Sequence, residues 1–439
     1  MTTMPAPRRT RARLIRDSAA DDADAHAPGS LLLNLPEDVL KRLFVILEGH
    51  AFTTGHSFML KSTCNLLATV APKRTKTSMA TVVESVALLQ YAHKLGCPWH
   101  EKTCDHAAAG GHLDCLKYLH KQGCPWNERS CMFAAKYGHI KCLKYLHKQG
   151  CPWNEWTCDS AARGGHLDCL KYAHQNGCPW DWDTIMNAAA GGHLNCLQYA
   201  QEHGCPWGSH PYSICVRAAE GGHINCLKYA HERGCPWDET TCAGAAECGS
   251  LDCLQYAHEH GCPWDEETCA QAARGGHLDC LQYAHEHGCP WDEETCKRAA
   301  AGGHLNCLQY AHEHRCPWDA DTCMHAANRD HLDCFENTVT AECAHLDCLK
   351  YAHEHGCPWD ARTCAYAAKC GLLDCLQYAH EQGCPWHANT CSRAADSGHI
   401  NCLKYAHEHG CPWDAVTCMY AAEGGHLDCL QYAQENGCP

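Results

Sequence analysis

From about residue 97 to the C-terminus the chain repeats one polar-apolar pattern of two short amphipathic runs separated by glycine-rich breaks. The segment Cys262 to Gly288 reads CPWDEETCAQAARGGHLDCLQYAHEHG and serves as the reference unit. Asp265 is a plausible N-cap, and Glu266 and Glu267 complement the positive end of a helix dipole in the first turn. A first helix is predicted over Thr268 to Arg274 and is stopped by Gly275 and Gly276. A second helix is predicted to open at His277; Leu278, Leu281 and Ala284 recur at a spacing of three, and Cys280 joins Ala284 at four. Gly288 ends it, and Pro290 forbids continuation. No strand-like alternation accompanies these runs, so the predicted fold class is all-α.

The tripeptide Cys-Pro-Trp marks each unit, at Cys97, Cys124, Cys151, Cys178, Cys205, Cys235, Cys262, Cys289, Cys316, Cys357, Cys384 and Cys411. Spacings are 27 residues except 30 after Cys205 and 41 after Cys316. A unit this short buries no core alone, so twelve of them, over 97–439, are expected to stack into a solenoid. Val82 to Gly96 repeats the second-run pattern after a degenerate first helix near Thr75 to Thr81, consistent with a capping repeat over 71–96. Two irregularities stand out, a longer entry at Gly208 to Ser213 and a 14-residue insertion, Phe335 to Cys348, that repeats His-Leu-Asp-Cys. The insertion is expected to interrupt helix pairing and to act as a hinge at 335–348.

The run Ala272 to Gly288, AARGGHLDCLQYAHEHG, resembles the second half of an ankyrin repeat: two alanines, two variable residues, Gly-His-Leu-acid, an apolar helix and a closing glycine. Cys269 and Cys280 fall where ankyrin repeats carry a core leucine and valine. Ankyrin repeats run to about 33 residues; the shortfall here lies in the β-hairpin finger, which the Cys-Pro-Trp turn replaces. The resemblance covers about residues 70 to 439 and implies an ankyrin-like helical solenoid of helix-turn-helix repeats without the finger. Shortened, Cys-Pro-Trp-marked repeats of this type are similar to those multiplied in giant DNA viruses of amoebae.

Ahead of the repeats, residues 31–70 form a separate apolar pattern. Pro36 sits at a helix start with Val39, Leu40, Leu43, Ile46 and Leu47 on one face; Phe58, Leu60, Cys64 and Leu67 follow on a second helix. Leu35, Pro36, Val39, Leu40 and Leu43, with Ser62-Thr63-Cys64, resemble the F-box, a small helical module that docks the adaptor subunit of cullin ubiquitin ligases. Gly49 to Gly55 is more polar than that module's middle. The other reading of this segment is a plain helical cap on the solenoid.

Composition narrows the function. Lys and Arg number 35 against 51 Asp and Glu, a formal charge of −16, with no basic stripe beyond the first twenty residues; nucleic acid is not an expected partner. Residues 1–30 turn from basic (Arg8, Arg9, Arg11, Arg13, Arg16) to acidic (Asp21, Asp22, Asp24), as in a disordered tail. No apolar stretch reaches the roughly 20 residues of a membrane span, and no secretory signal is visible. An intracellular, cytoplasmic location is expected, the host cytoplasm if the protein is viral, with a nuclear address in the basic tail as the alternative. The 41 cysteines, odd in number and in a long chain, then stay reduced. Cysteines at Cys262, Cys269 and Cys280, with His277, offer no close C-x(2–4)-C pair to seed a zinc site. Equivalent cysteines of adjacent units should sit roughly 8–10 Å apart, beyond the ~7 Å Cα limit of a disulfide. They are expected to act as small hydrophobes, with no metal and no cofactor. The repeated tryptophans are expected to pack between units, and His277 and its equivalents to hydrogen-bond at turns. Nothing pairs a nucleophile with a base or builds a phosphate loop, so no catalytic residue is assigned.

The units differ most in the two residues before an unvarying Ala-Ala. These are Asp105 and His106, Met132 and Phe133, Met186 and Asn187, Val216 and Arg217, Lys297 and Arg298, Met324 and His325, Tyr366, Arg393, and Met419 and Tyr420, beside smaller pairs elsewhere. In ankyrin-like stacks the first helix lines the concave side, so exposed side chains here are expected to grip target proteins there. The leading functional expectation is a substrate-recruiting adaptor of a cullin-type ubiquitin ligase. A protein-binding scaffold without a ligase link, and a cysteine- and histidine-rich metal or redox protein, are the alternatives.

Overall fold

The computed structural model describes residues 83–94, 99–207, 212–328 and 339–438. The chain divides into two compact units, Met1–Pro98 and Trp99–Pro439. In the first, only the helix Val86–Lys94 is described, and Leu89 and Ala92 are its buried residues. The tail 1–30, the module 31–70 with Leu35, Pro36, Val39, Leu40 and Leu43, and the expected helix near Thr75 to Thr81 lie outside the described residues.

The second unit holds twelve helix pairs, from Glu101–Ala109 with Leu113–Lys121 to Ala415–Glu423 with Leu427–Glu435. Among the described residues there is no strand, so the architecture is an all-α repeat solenoid. Each first helix packs on the first helices of the neighbouring pairs and each second helix on second helices, which gives two parallel rows.

Local chemistry builds each pair. In the Cys262 unit the first helix runs Glu266–Gly275, two residues earlier than the apolar pattern alone places it, because Asp265 caps it: its side chain accepts from the Glu267 amide at 3.2 Å. The helix closes by the two bonds of a Schellman motif, His277 amide to Ala272 carbonyl at 3.0 Å and Gly276 amide to Ala273 carbonyl at 3.2 Å. Gly276 supplies the left-handed residue at φ 73°. The second helix, Leu278–Glu286, closes the same way through Gly288 at φ 84°, with the Cys289 amide on the Ala284 carbonyl. One unit breaks this rule: Arg315 takes the left-handed position at φ 66°.

The core is a stack of small layers. Cys269, Ala272, Ala273, Cys280, Leu281 and Ala284 are fully buried, and their equivalents repeat along the row. Helices this close tolerate only alanine and cysteine at most seam positions.

Gly208 to Pro211 and residues 329–338 lie outside the described residues. Past the insertion, Val339–Glu354 forms one helix of 16 residues that packs on both neighbouring second helices. Cys357 Sγ donates to the Asp319 carbonyl at 3.2 Å across 38 residues; elsewhere the same bond spans 24. Helix pairing is therefore kept across the extra residues, contrary to the expectation that the insertion interrupts it. The first helix before the insertion is short, Ala320–Ala326, and the helix after it is long, Val339–Glu354.

Candidate functional site: the first-helix row

The varied residues do gather on the first helices, but the two members of each pair do different things. The first member faces the seam toward the next first helix. Asp105 is only 4 % exposed, Lys297 8 % and Met324 8 %; Met132, Met186 and Val216 are half-buried. The expectation that these side chains project into solvent is corrected here: one helix turn places that position against the following unit's Thr or Ser. Ser130 Oγ donates to Asp105 at 2.8 Å, with Arg129 Nε 3.7 Å from the same carboxylate. Thr184 Oγ1 donates to Asp159 at 2.5 Å. Where the partner position is apolar, as at Ala243 and Ala270, the buried hydroxyls of Thr268 and Thr295 have no hydrogen-bond partner.

The two carboxylates among these groups have displaced pKa values. Burial pushes Asp159 up to about 7, against the Thr184 hydrogen bond and with help from Asp181 and Asp183. Asp105 is also raised by burial, partly offset by Ser130 and Arg129.

The second member faces outward. His106, Phe133, Asn187, Arg298, His325, Tyr366 and Arg393 are half-buried, and Arg217 is exposed. Met419 and Tyr420 of the twelfth pair are both exposed. Neighbouring units link these residues into a surface. The Arg393 guanidinium lies 4.6 Å from the centroid of the Tyr366 ring. Arg298 makes a two-pronged ion pair with Glu267 of the preceding unit at 2.7 and 3.1 Å. Lys297 contacts Glu294 at 3.4 Å and Asp319 at 3.2 Å. Between these helices opens a cavity of about 450 Å³ lined by Glu267, Gln271, Arg274, Glu294, Lys297, Arg298 and His325 among others.

Further surface residues went unrecognised in the sequence. Glu267, Glu294 and Trp156 occupy the position four residues before the second varied residue, and this position too differs from unit to unit. The i, i+4 relation on a helix was the available signal. Trp156 is 51 % exposed there. In the adjacent unit Phe133 stacks toward Tyr137 at 6.5 Å, with Arg129 5.7 Å from the Phe133 ring. Cys-Pro-Trp tryptophans, by contrast, are tied up between units, as expected: Trp264 stacks on His258 of the preceding second helix at 3.8 Å. Turn histidines bond backbone carbonyls, as His139 Nε2 does to Ala109 at 2.9 Å.

The one group of carboxylates close enough to share a cation among the described residues is Asp159, Asp181 and Asp183. Asp159 is already held by Thr184 and Asp181 caps its own helix through the Asp183 amide, so the cluster is accounted for by the fold.

Residues 104–147, 131–174 and 158–201 each match the family model for ankyrin repeats (many copies). No curated protein matches the chain. Among solved structures, the human ASB11 ankyrin repeat domain is similar at 21 % identity and TM-score 0.32, over 36 % of this chain and 84 % of that one. The pentatricopeptide repeat protein PPR10, solved in complex with an 18-nt psaJ RNA element, is similar at 11 % identity and TM-score 0.34, over 92 % and 67 %. The class is thus an all-α repeat solenoid, of which residues 104–201 match the ankyrin-repeat model. Among the described residues no helix is long and apolar enough to cross a membrane.

Proposed function

We propose that this chain recruits a target protein on its first-helix row and delivers it, through residues 31–70, to the adaptor subunit of a cullin-type ubiquitin ligase. The observation that carries the binding half is Trp156, half-exposed in a helix row whose neighbouring unit presents Phe133 and Arg129. Aromatic and arginine side chains dominate interface energetics. The large varied residues Arg217, Arg298, Tyr366, Arg393, Met419 and Tyr420 extend the same face along the array. A solenoid of near-identical units has no unique constellation of reactive groups, whereas a long face with varied side chains suits recognition. The delivery half rests on the likeness of Leu35, Pro36, Val39, Leu40 and Leu43 to an F-box.

Two variants separate the halves. Full-length chain expressed in the native cell is expected to co-purify with a cullin adaptor and with one or more targets. Leu35→Asp with Pro36→Ala should abolish only the adaptor, and Phe133→Ala with Trp156→Ala only the target. Retention of targets with no adaptor in either sample would establish a scaffold without ligase link. Stoichiometric zinc or copper in the purified chain would instead favour the metal-binding alternative.

A further inference from the structure

Equivalent cysteines of adjacent units do not exhaust the sulfur contacts. The structure brings non-equivalent ones together. Cys104, in a first helix, donates its S–H to the Sγ of Cys124, in the next Cys-Pro-Trp turn, at 3.5 Å. Cys269 and Cys289 and, across the insertion, Cys323 and Cys357 hold the same positions and are neighbours likewise. Cys289 Sγ also reaches the carbonyl of Asp265, the residue capping the helix that bears Cys269, at 3.1 Å. All described cysteines are free thiols. One unit lacks the arrangement: Ile185 holds the first-helix position, so Cys205 meets the Ile185 backbone instead of a thiol.

We propose that these thiol pairs are redox-convertible staples, closed by a peroxide into disulfides that tie each first helix to the entry turn of the following unit. The two sulfurs stand roughly 1.5 Å beyond bonding distance. In the first step the peroxide O–O bond breaks, one thiol becomes a sulfenic acid and water leaves. In the second, the partner sulfur attacks that sulfenic sulfur and a second water departs. Two S–H bonds have been exchanged for one S–S bond, and the peroxide has taken two electrons. Cys289, at 4 % exposure against 0 % for Cys269, is the thiol the oxidant reaches first. Because a solenoid opens unit by unit, a covalent tie at each seam resists the openings by which such an array comes apart.

The test uses the full native chain exposed to hydrogen peroxide, with remaining thiols alkylated in denaturant and peptides mapped by mass. Disulfides joining first-helix cysteines to the next Cys-Pro-Trp cysteine are expected, with Cys205 and Cys280 still alkylated and dithiothreitol restoring every thiol. Cys289→Ser should remove its own bond and leave the Cys104–Cys124 bond in place. The oxidised chain should unfold at a higher denaturant midpoint than the reduced one. Disulfides between equivalent cysteines would overturn the proposal, as would single thiols driven to sulfinic acid, or thiols that stay reduced while the same peroxide oxidises free dithiothreitol. An unchanged midpoint in the oxidised chain would overturn the staple.

Discussion

Nδ1 of His258 lies 2.9 Å from the hydroxyl of Tyr283 in the next unit, while the His258 ring stacks at 3.8 Å on Trp264 between them. In the Cys178 unit Gln201 replaces the histidine, and its Oε1 accepts from Tyr229 at 3.0 Å, so an amide keeps the link to the next unit's phenol. His258→Gln should cost little, whereas His258→Ala should cost about 1–2 kcal/mol in denaturant unfolding, the sum of one hydrogen bond and one ring contact.

Acid should weaken the same seam. Burial lowers the pKa of His258, and His287 lowers it further, offset in part by Glu259; His174, His231, His285, His312 and His380 are lowered in the same manner. The unfolded chain binds protons that these folded histidines refuse. Their contribution is fully present above the unfolded value near 6.5 and is lost as pH falls through the lowered folded values. The denaturant midpoint should therefore drop from pH 7.5 to pH 5.5, and less steeply in a chain with His258 and His285 changed to Gln. A flat or rising midpoint would contradict the assignment.

Much of this is legible in the sequence. Asp265, Gly276, Gly288 and Pro290 mark helix ends by chemistry that acts within a few residues, so the helix pairs could be read off one unit. Seam contacts could not. Cys269 meets Cys289, and Asp159 meets Thr184, only because stacking sets the offset between one first helix and the next. That offset is a property of packed alanines and cysteines, and it is also why half of the varied positions turned inward. Residues 31–70 carried a motif without a repeat to cross-check it, and they lie outside the described residues.

Arg315 sits where every other described unit has glycine, at φ 66°. A side chain there costs roughly 1 kcal/mol or more. The equivalent Gly288 has open space around an added Cβ, so the strain is in the backbone alone. Arg315→Gly should raise stability by about 1 kcal/mol, and Gly288→Arg should lower it by a similar amount.

Asp159 has the opposite pH sign to the histidines. Its folded pKa is raised to about 7, above an unfolded value near 3.9. Protonated Asp159 thus adds stability that is complete below the unfolded value and is lost as pH rises through the folded one. Asp159→Asn keeps a partner for Thr184 without the charge. The variant should be more stable than the parent at pH 8 and close to it at pH 4, measured by urea midpoints. A larger gain at pH 4 would show that the carboxylate is stabilised in the fold.

The buried hydroxyls supply a matched pair of opposite outcomes. Thr268 and Thr184 occupy the same position in different units, and both are fully buried. Thr184 donates to Asp159, whereas the corresponding neighbour of Thr268 is Ala243, which offers nothing to accept. Removing a hydroxyl that has a partner strands that partner; removing one that has none relieves a desolvation penalty of about 1–3 kcal/mol. Thr184→Val should therefore destabilise the chain, most strongly at pH 8 where the stranded Asp159 is charged, and Thr268→Val should stabilise it by about 1 kcal/mol. If the two variants shift the midpoint in the same direction, the identity of the residue before Ala-Ala does not govern the seam. The first member of each varied pair would then have to be reassigned from packing to recognition.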